Sequence, residues 1–358
     1  MRFAKLVPTL VLVGFVVMAC GGSNPSTTTT KKIALLLPES KTARYESKDR
    51  PFFVAKLKSL GFNTDADLIY SNANQDAPTQ QTQAEAALTN GASVLVLDPV
   101  DGAAAAAIVA KAKAKNVPVI SYDRLILGTA DLNYYLSFDN AAVGALQGTA
   151  LLTALNGKAN AKVVMINGDP ADNNAKLFKQ GAHSILDGKV NIAKEYDTPS
   201  WSPDKAQTEM QGAITAVGKN IDGVLAANDG TAGGAIAAMK SAGITPLPPI
   251  TGQDAELAAI QRILAGEQYM TVYKALKAEA EAAATLAYDL ATGAAVPSSM
   301  TNGKTTNNGA ADIKSVLLTP VAVTKANIKD TVVADGFWTK ADICTSTFAA
   351  ACTAAGIS

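Results

Sequence analysis

Short apolar runs alternate with helical stretches along almost the entire chain, and few folds satisfy that order. KIALLLP (32–38) reads as a buried strand, and RPFFVAKLKSLG as a helix ended by Gly61. ADLIYS, SVLVLDP and VPVISYD follow as strands, separated by a helix through AEAALTNG and an Ala-rich helix from Gly102 to Asn116. Strands spaced by helices of this length imply parallel sheets built from βαβ units. A second series begins near Asn140, after YLSFDN, with AKVVMINGD, VNIAKEYD, DGVLAAND and PPITGQD as its strands. YMTVYK leads into a helix from Ala275 to Thr292. VPSSMTNGKTTNNG is polar enough for a loop, and LLTPVAV and VVADGFW read as short late strands. Two such α/β halves within 358 residues fit a bilobed protein whose chain crosses between lobes more than once.

Several of these strands stop on polar residues: Asp123 and Arg124 after VPVISY, Asn228 and Asp229 after VLAA, Asp254 in ITGQD, and Lys274 in YMTVYK. Ligands of open α/β sheets bind outside the carboxyl ends of the strands, so residues far apart in sequence converge there on one cleft. Asp123 and Asp254 accept hydrogen bonds, Arg124 and Lys274 only donate, and Asn173, Asn174 and Asn228 do both. Acids and bases in similar number neutralise one another, which suits a neutral polyhydroxylated ligand better than a phosphate or a carboxylate. Trp201 in DTPSWSPD and Tyr45, beside Arg44 in KTARYESKDR, are loop aromatics that offer flat apolar faces to a sugar ring. Asp229 reads as a helix cap, a role Asn173 and Asn174 also suit.

Other chemistries find little support. Balanced charge, 31 basic against 31 acidic residues, provides no field for nucleic acid. The one histidine, His183, lies on a helical pattern without acidic or thiol ligands at useful offsets, so a serine–histidine triad or a histidine metal site has no material. AANDGTAGG matches neither a phosphate loop nor a dinucleotide fingerprint. Asp123 and Asp254 as a glycosidase pair would each have a cation beside them that keeps the acid ionised. No metal, cofactor or catalytic residue is expected.

Residues 1–19 have Arg2 and Lys5 before an apolar core from Leu6 to Met18, a secretory signal too short to span a membrane comfortably. VMAC ends it in the manner of a bacterial lipobox, with Cys20 as the lipidated first residue of the mature chain. Residues 20–31 form a flexible, Ser/Thr-rich tether. Export favours a small-loop disulfide between Cys344 and Cys352.

ISYDRLI, YYLSFDNAAVG, DNNAKLFKQG, AANDGTAGGAI, TGQDAELAAIQRILAG and MTVYK give the chain a recognisable character. With LLTPVAVTKANIKDTVVADGF they span Lys32 to Phe337 and resemble the type I periplasmic sugar-binding proteins of ABC import systems, in their D-xylose branch. The resemblance implies an α/β fold of two Rossmann-like lobes with parallel sheets, joined by a three-strand hinge. The expected partition is 32–138 with 275–303 as the N-terminal lobe and 139–274 with 304–358 as the C-terminal lobe. It implies ligand contacts from Arg44, Tyr45, Asp123, Arg124, one of Asn173 and Asn174, Trp201, Asn228, Asp254 and Lys274. Tyr45 stands where xylose-binding proteins carry Trp, which shrinks the stacking face. The implied role is capture of a monosaccharide, D-xylose first, by a monomer tethered to the membrane through its lipid, and delivery to an ABC permease. Another pentose or hexose as ligand, or a membrane chemoreceptor as partner, remains an alternative. A lac-repressor-type sensor would need a DNA-binding module before Lys32, where the signal and tether lie.

Overall fold

Both faces of the first strand are apolar: Ile33, Leu35 and Leu37 point one way, Ala34 and Leu36 the other, and all are buried. A strand read this way must be covered by helices on both sides. The computed structural model, which describes Met1 and Lys31–Ile357, meets that demand. Its strands are β1 Lys32–Leu37, β2 Leu68–Asn72, β3 Ala92–Leu97, β4 Val119–Tyr122, β5 Tyr134–Phe138, β6 Lys162–Asn167, β7 Asn191–Asp197, β8 Gly223–Ala226, β9 Met270–Tyr273, β10 Thr305–Asn307, β11 Asp312–Leu318 and β12 Val321–Thr324. Its helices are α1 Arg50–Ser59, α2 Thr64–Asp67, α3 Ala77–Thr89, α4 Ala106–Ala114, α5 Asn140–Leu155, α6 Asn173–Leu186, α7 Pro203–Val217, α8 Asp229–Ser241, α9 Leu257–Ala265, α10 Leu276–Thr292, α11 Lys340–Ile343 and α12 Ala349–Ala354.

A seven-stranded sheet runs β10-β11-β5-β4-β3-β1-β2, parallel except at β10. α10 lays Ala280, Ala283, Ala284 and Ala287 on the Ile33–Leu35–Leu37 face, where small side chains let the helix sit close. α3 and α4 cover the opposite face. A second parallel sheet, β7-β6-β8, is sandwiched between Leu151, Ala182 and Leu186 of α5 and α6 and Met210, Ala232 and Met239 of α7 and α8. β9 and β12 form an antiparallel pair.

Four readings of the sequence are corrected. PPITGQD forms no regular strand: it contributes only the parallel bridges Val224–Ile250 and Gln253–Val272. VVADGFW is not a strand, because Lys329–Val333 is a wide helical turn that buries Val332 and delivers Phe337 to the core. Residues 305–318, placed with the C-terminal lobe, hydrogen-bond into the first sheet, where β11 pairs with β5 from Ser315–Tyr135 to Leu318–Phe138. The supposed loop VPSSMTNGKTTNNG contains the first of these strands, β10.

Residues 1–19, the lipobox and Cys20 lie outside the described residues, apart from Met1. Among the described residues no helix is long and apolar enough to cross a membrane. Cys344 and Cys352 are joined by a disulfide, with Cα atoms 5.8 Å apart, beside the cluster of Ile343, Phe337 and Ile357.

Candidate ligand-binding site

The carboxyl ends of both sheets open onto one narrow cleft. Asp123 follows β4, Asn228 follows β8 and Lys274 follows β9, while Arg44 and Tyr45 come from the segment after β1. Nine of the ten residues proposed from sequence line the cleft, and Asn173 does not. Its neighbour Asn174 turns inward, donating from Nδ2 to the Asp123 carbonyl at 2.9 Å and accepting from Asn140 Nδ2 at 2.8 Å. Neither asparagine is the cap of α6. Asp172 is, accepting from the Asn174 N–H.

Arg44 organises one half of the polar floor. Nε and Nη2 grip Asp49 at 2.9 and 2.7 Å, Nη2 also meets Glu279 at 2.9 Å, and Nη1 donates to Asp123 Oδ1 at 3.1 Å. Asp123 Oδ2 takes the Tyr45 hydroxyl at 3.1 Å, and Lys274 Nζ lies 3.6 Å from Asp123 and 3.4 Å from Asp254. Burial pushes the Asp123 carboxyl up, but Arg44, Lys274 and Arg124 outweigh it and hold the group below the usual carboxylate range. Burial has the upper hand at Glu279, which is raised. Three lining cations thus face three lining acids, Asp123, Asp172 and Asp254, with the buried carboxyls of Asp49, Glu279 and Asp98 behind them.

Arg124 organises the other half and does not pair with its neighbour Asp123. Its Nε lies 3.1 Å from Asp172 and 3.6 Å from Asp98, and its Nη2 donates to the Tyr45 hydroxyl at 3.1 Å. The Tyr45 ring has two guanidiniums near it, with its centroid 5.1 Å from that of Arg44 and 5.6 Å from that of Arg124. Asp172 also accepts the indole N–H of Trp201 at 3.2 Å. The indole rests on Gly168, where an added Cβ would lie 2.0 Å from Trp201 Cη2, and meets Phe178 edge-on at 6.3 Å. No larger residue fits at Gly168 with the indole in this position.

Asp123, Trp201 and Asp254 all have left-handed backbones, with φ of 54°, 51° and 93°. Such conformations cost roughly 1–3 kcal/mol each outside glycine and persist where surrounding contacts impose them. Asp254 Oδ1, buried in the cleft, has no hydrogen-bond partner, although Lys274 is 3.4 Å and Arg44 4.0 Å away. An acceptor in that position can take a donor from a ligand.

The reading of Asn228 and Asp229 is corrected. Asn228 is the cap of α8: its Oδ1 accepts from the Thr231 N–H at 2.8 Å, and it lines the cleft as well. Asp229 is the first residue of the helix, fully buried, and burial pushes its carboxyl up to about 7. Thr42, Asp172, Phe178 and Gln253 also line the cleft and escaped the sequence reading. Each lies within two residues of a nominated position, or within the DNNAKLF segment, so the signal was present without the resolution to use it. His183 lies on α6 between Asp187 and Glu195, at 2.8 and 3.1 Å, away from the cleft. Among the described residues no group of three or more His, Cys, Asp or Glu is placed to hold a metal ion.

Comparison with known proteins identifies the family of the chain. A family model described as a periplasmic binding protein domain matches residues 33–295. The D-xylose-binding periplasmic protein of Escherichia coli (strain K12) is 40% identical over 317 residues, covering 87% of this chain and 92% of that protein. The Haemophilus influenzae protein of the same name is 39% identical over the same shares. Among solved structures, an ABC transporter solute binding protein from Clostridium phytofermentans with bound β-D-glucose is similar at a TM-score of 0.81 and 29% identity, covering 87% of this chain and 100% of that one.

Proposed function

The chain belongs to the periplasmic binding protein family, and on that premise we propose that it captures a monosaccharide, D-xylose first, and hands it to an ABC permease. The observation that carries this reading is the buried Asp254 carboxylate, one oxygen without a hydrogen bond, in a cleft lined by three cations and three acids and walled by Trp201, Phe178 and Tyr45. A sugar hydroxyl supplies the missing donor, the other floor residues sort the remaining hydroxyls, and the aromatic walls take the C–H faces. Selectivity follows from polar groups that a wrong epimer leaves unpaired, which can reject strongly.

In this reading two lobes close on the sugar: 32–138 with 275–318, and 139–274 with the residues after β11. A ligand that touches both shifts the population toward the closed state, which the permease reads. Lipidation at Cys20 holds the monomer at the membrane, and a chemoreceptor is the alternative downstream partner. Calorimetric titration of the purified protein with D-xylose, L-arabinose, D-ribose and D-glucose tests the core of the proposal. Heat of binding with D-xylose is expected; heat only with an amino acid or a nucleoside would sink it. Because the Clostridium phytofermentans neighbour carries β-D-glucose, tighter binding of glucose than xylose would shift the reading to a hexose carrier.

A further inference from the structure

The turn 252–256, which presents Gln253 and Asp254 to the cleft, is tied to a carboxylate that does not itself line it. Asp229 Oδ2 accepts from the Glu256 N–H at 2.9 Å and from Thr271 Oγ1 at 2.9 Å, while Oδ1 accepts from Gln268 Nε2 at 2.7 Å. The Asp229 N–H donates to the Gln253 carbonyl at 3.0 Å, and Thr271 Oγ1 accepts from the Ala255 N–H at 3.1 Å. Residues on both sides of Asp254 are thus attached to Asp229: Gln253 to its main-chain N–H, and Glu256 directly and Ala255 through Thr271 to its side chain. Between those attachments the backbone is left-handed at two successive residues, Asp254 (φ 93°) and Ala255 (φ 48°). Nothing but external contacts holds non-glycine residues there. The carboxylate presses against the turn so closely that a Cβ on Gly252 would lie 2.0 Å from Asp229 Oδ1. Helix capping does not explain the residue, since Asn228 already caps α8 with its own side chain. Arg262 of α9 completes the setting by donating to the Asp229 carbonyl at 2.8 Å.

We propose that Asp229 is a positioning residue for the ligand cleft, holding the 252–256 turn so that the Asp254 carboxylate stays aimed at the sugar. The inference rests on the sugar-binding reading and names a specificity element of that site which contacts no ligand. The test measures Kd by calorimetry, for D-xylose or whichever monosaccharide the wild type binds, together with Tm. The variants are Asp229→Asn, Thr271→Val, their double, and Met239→Ala as a control that opens the core of α8 away from the turn. Asp229→Asn and Thr271→Val are each expected to weaken binding about tenfold, since each removes hydrogen bonding that holds the turn. The double variant is expected to lose clearly less than the product of the two, because both act on one turn. Met239→Ala should lower Tm while leaving Kd within about twofold, as expected of a site with no shared partners. If Asp229→Asn fails to fold, Thr271→Val against Met239→Ala decides alone. Wild-type affinity in the turn variants, or losses no larger than that of Met239→Ala, would overturn the proposal. A wild type that binds no sugar would instead remove the functional reading itself.

Discussion

Arg44 Nη1 donates to Asp123 Oδ1 at 3.1 Å across 79 residues of chain. The guanidinium that makes this contact is also held by Asp49 and Glu279, so the protein's own carboxylates fix its place in the cleft floor.

Arg44→Lys breaks that floor. One ammonium cannot reproduce a planar fork serving three carboxylates, and removing a partner from a buried charge network costs about 3–5 kcal/mol. Urea unfolding should register a loss of about that size, and sugar binding should weaken more than about tenfold. A variant as stable and as tight as the wild type would contradict the network's role.

Stability should vary with pH in two directions. Burial pushes Asp229 up to about 7 and Glu256 up to about 8. An acid with a raised folded value stabilises fully below its unfolded value, about 4, and that contribution is lost as pH rises through the folded one. Asp98, Asp172 and Glu279, also raised by burial, act the same way. Asp123, lowered by Arg44, Lys274 and Arg124 against its burial, contributes above about pH 4 and loses that contribution in acid. Tm is expected to fall from pH 5 to 8.5, less steeply in the Asp229→Asn/Glu256→Gln double variant. A Tm that climbs over that interval would refute the assignment.

Gly168→Ala adds a methyl where the Trp201 indole lies, and the ring must leave its place against Phe178 and Asp172. Sugar affinity should fall about tenfold, comparable with Trp201→Phe, since one aromatic contact and one hydrogen bond are disturbed. Calorimetry on both variants checks this, and unchanged affinity in either would show that the indole is not a ligand wall.

The Cys344–Cys352 bridge closes a short loop at the carboxyl end, and its removal acts on stability. Cys344→Ser/Cys352→Ser should lower the unfolding free energy by about 2–3 kcal/mol and leave sugar affinity within about twofold. A large affinity loss would mean that the tail reaches the cleft.

The alternation of strands and helices was legible because apolar runs covered on both faces, such as 33–37, leave little choice of partner layers. The strand-end residues were legible for the same reason: Asp123, Arg124, Asn228 and Lys274 are where the apolar runs stop. What periodicity could not resolve was orientation within one or two residues. Asn174 rather than Asn173 faces the cleft because the start of α6, capped by Asp172, turns it inward. Asn228 took the cap expected of Asp229 and kept its place in the cleft, because the cap position fell one residue earlier. VVADGFW has the composition of a strand, but its two valines end a wide helical turn and the rest is irregular, since burying Val332 and Phe337 in one cluster outweighs local preference.

The pairing of β11 with β5 has a consequence for how the molecule is made. A chain emerging amino end first has β5 long before residues 312–318 exist, so the rim of its first sheet stands unprotected while the second half is completed. Exposed strand edges recruit other chains. Fragments that stop short of Asp312 would carry that rim permanently and should self-associate, whatever the quality of their core. The element that seals the earliest-made layer is therefore among the last to be synthesised.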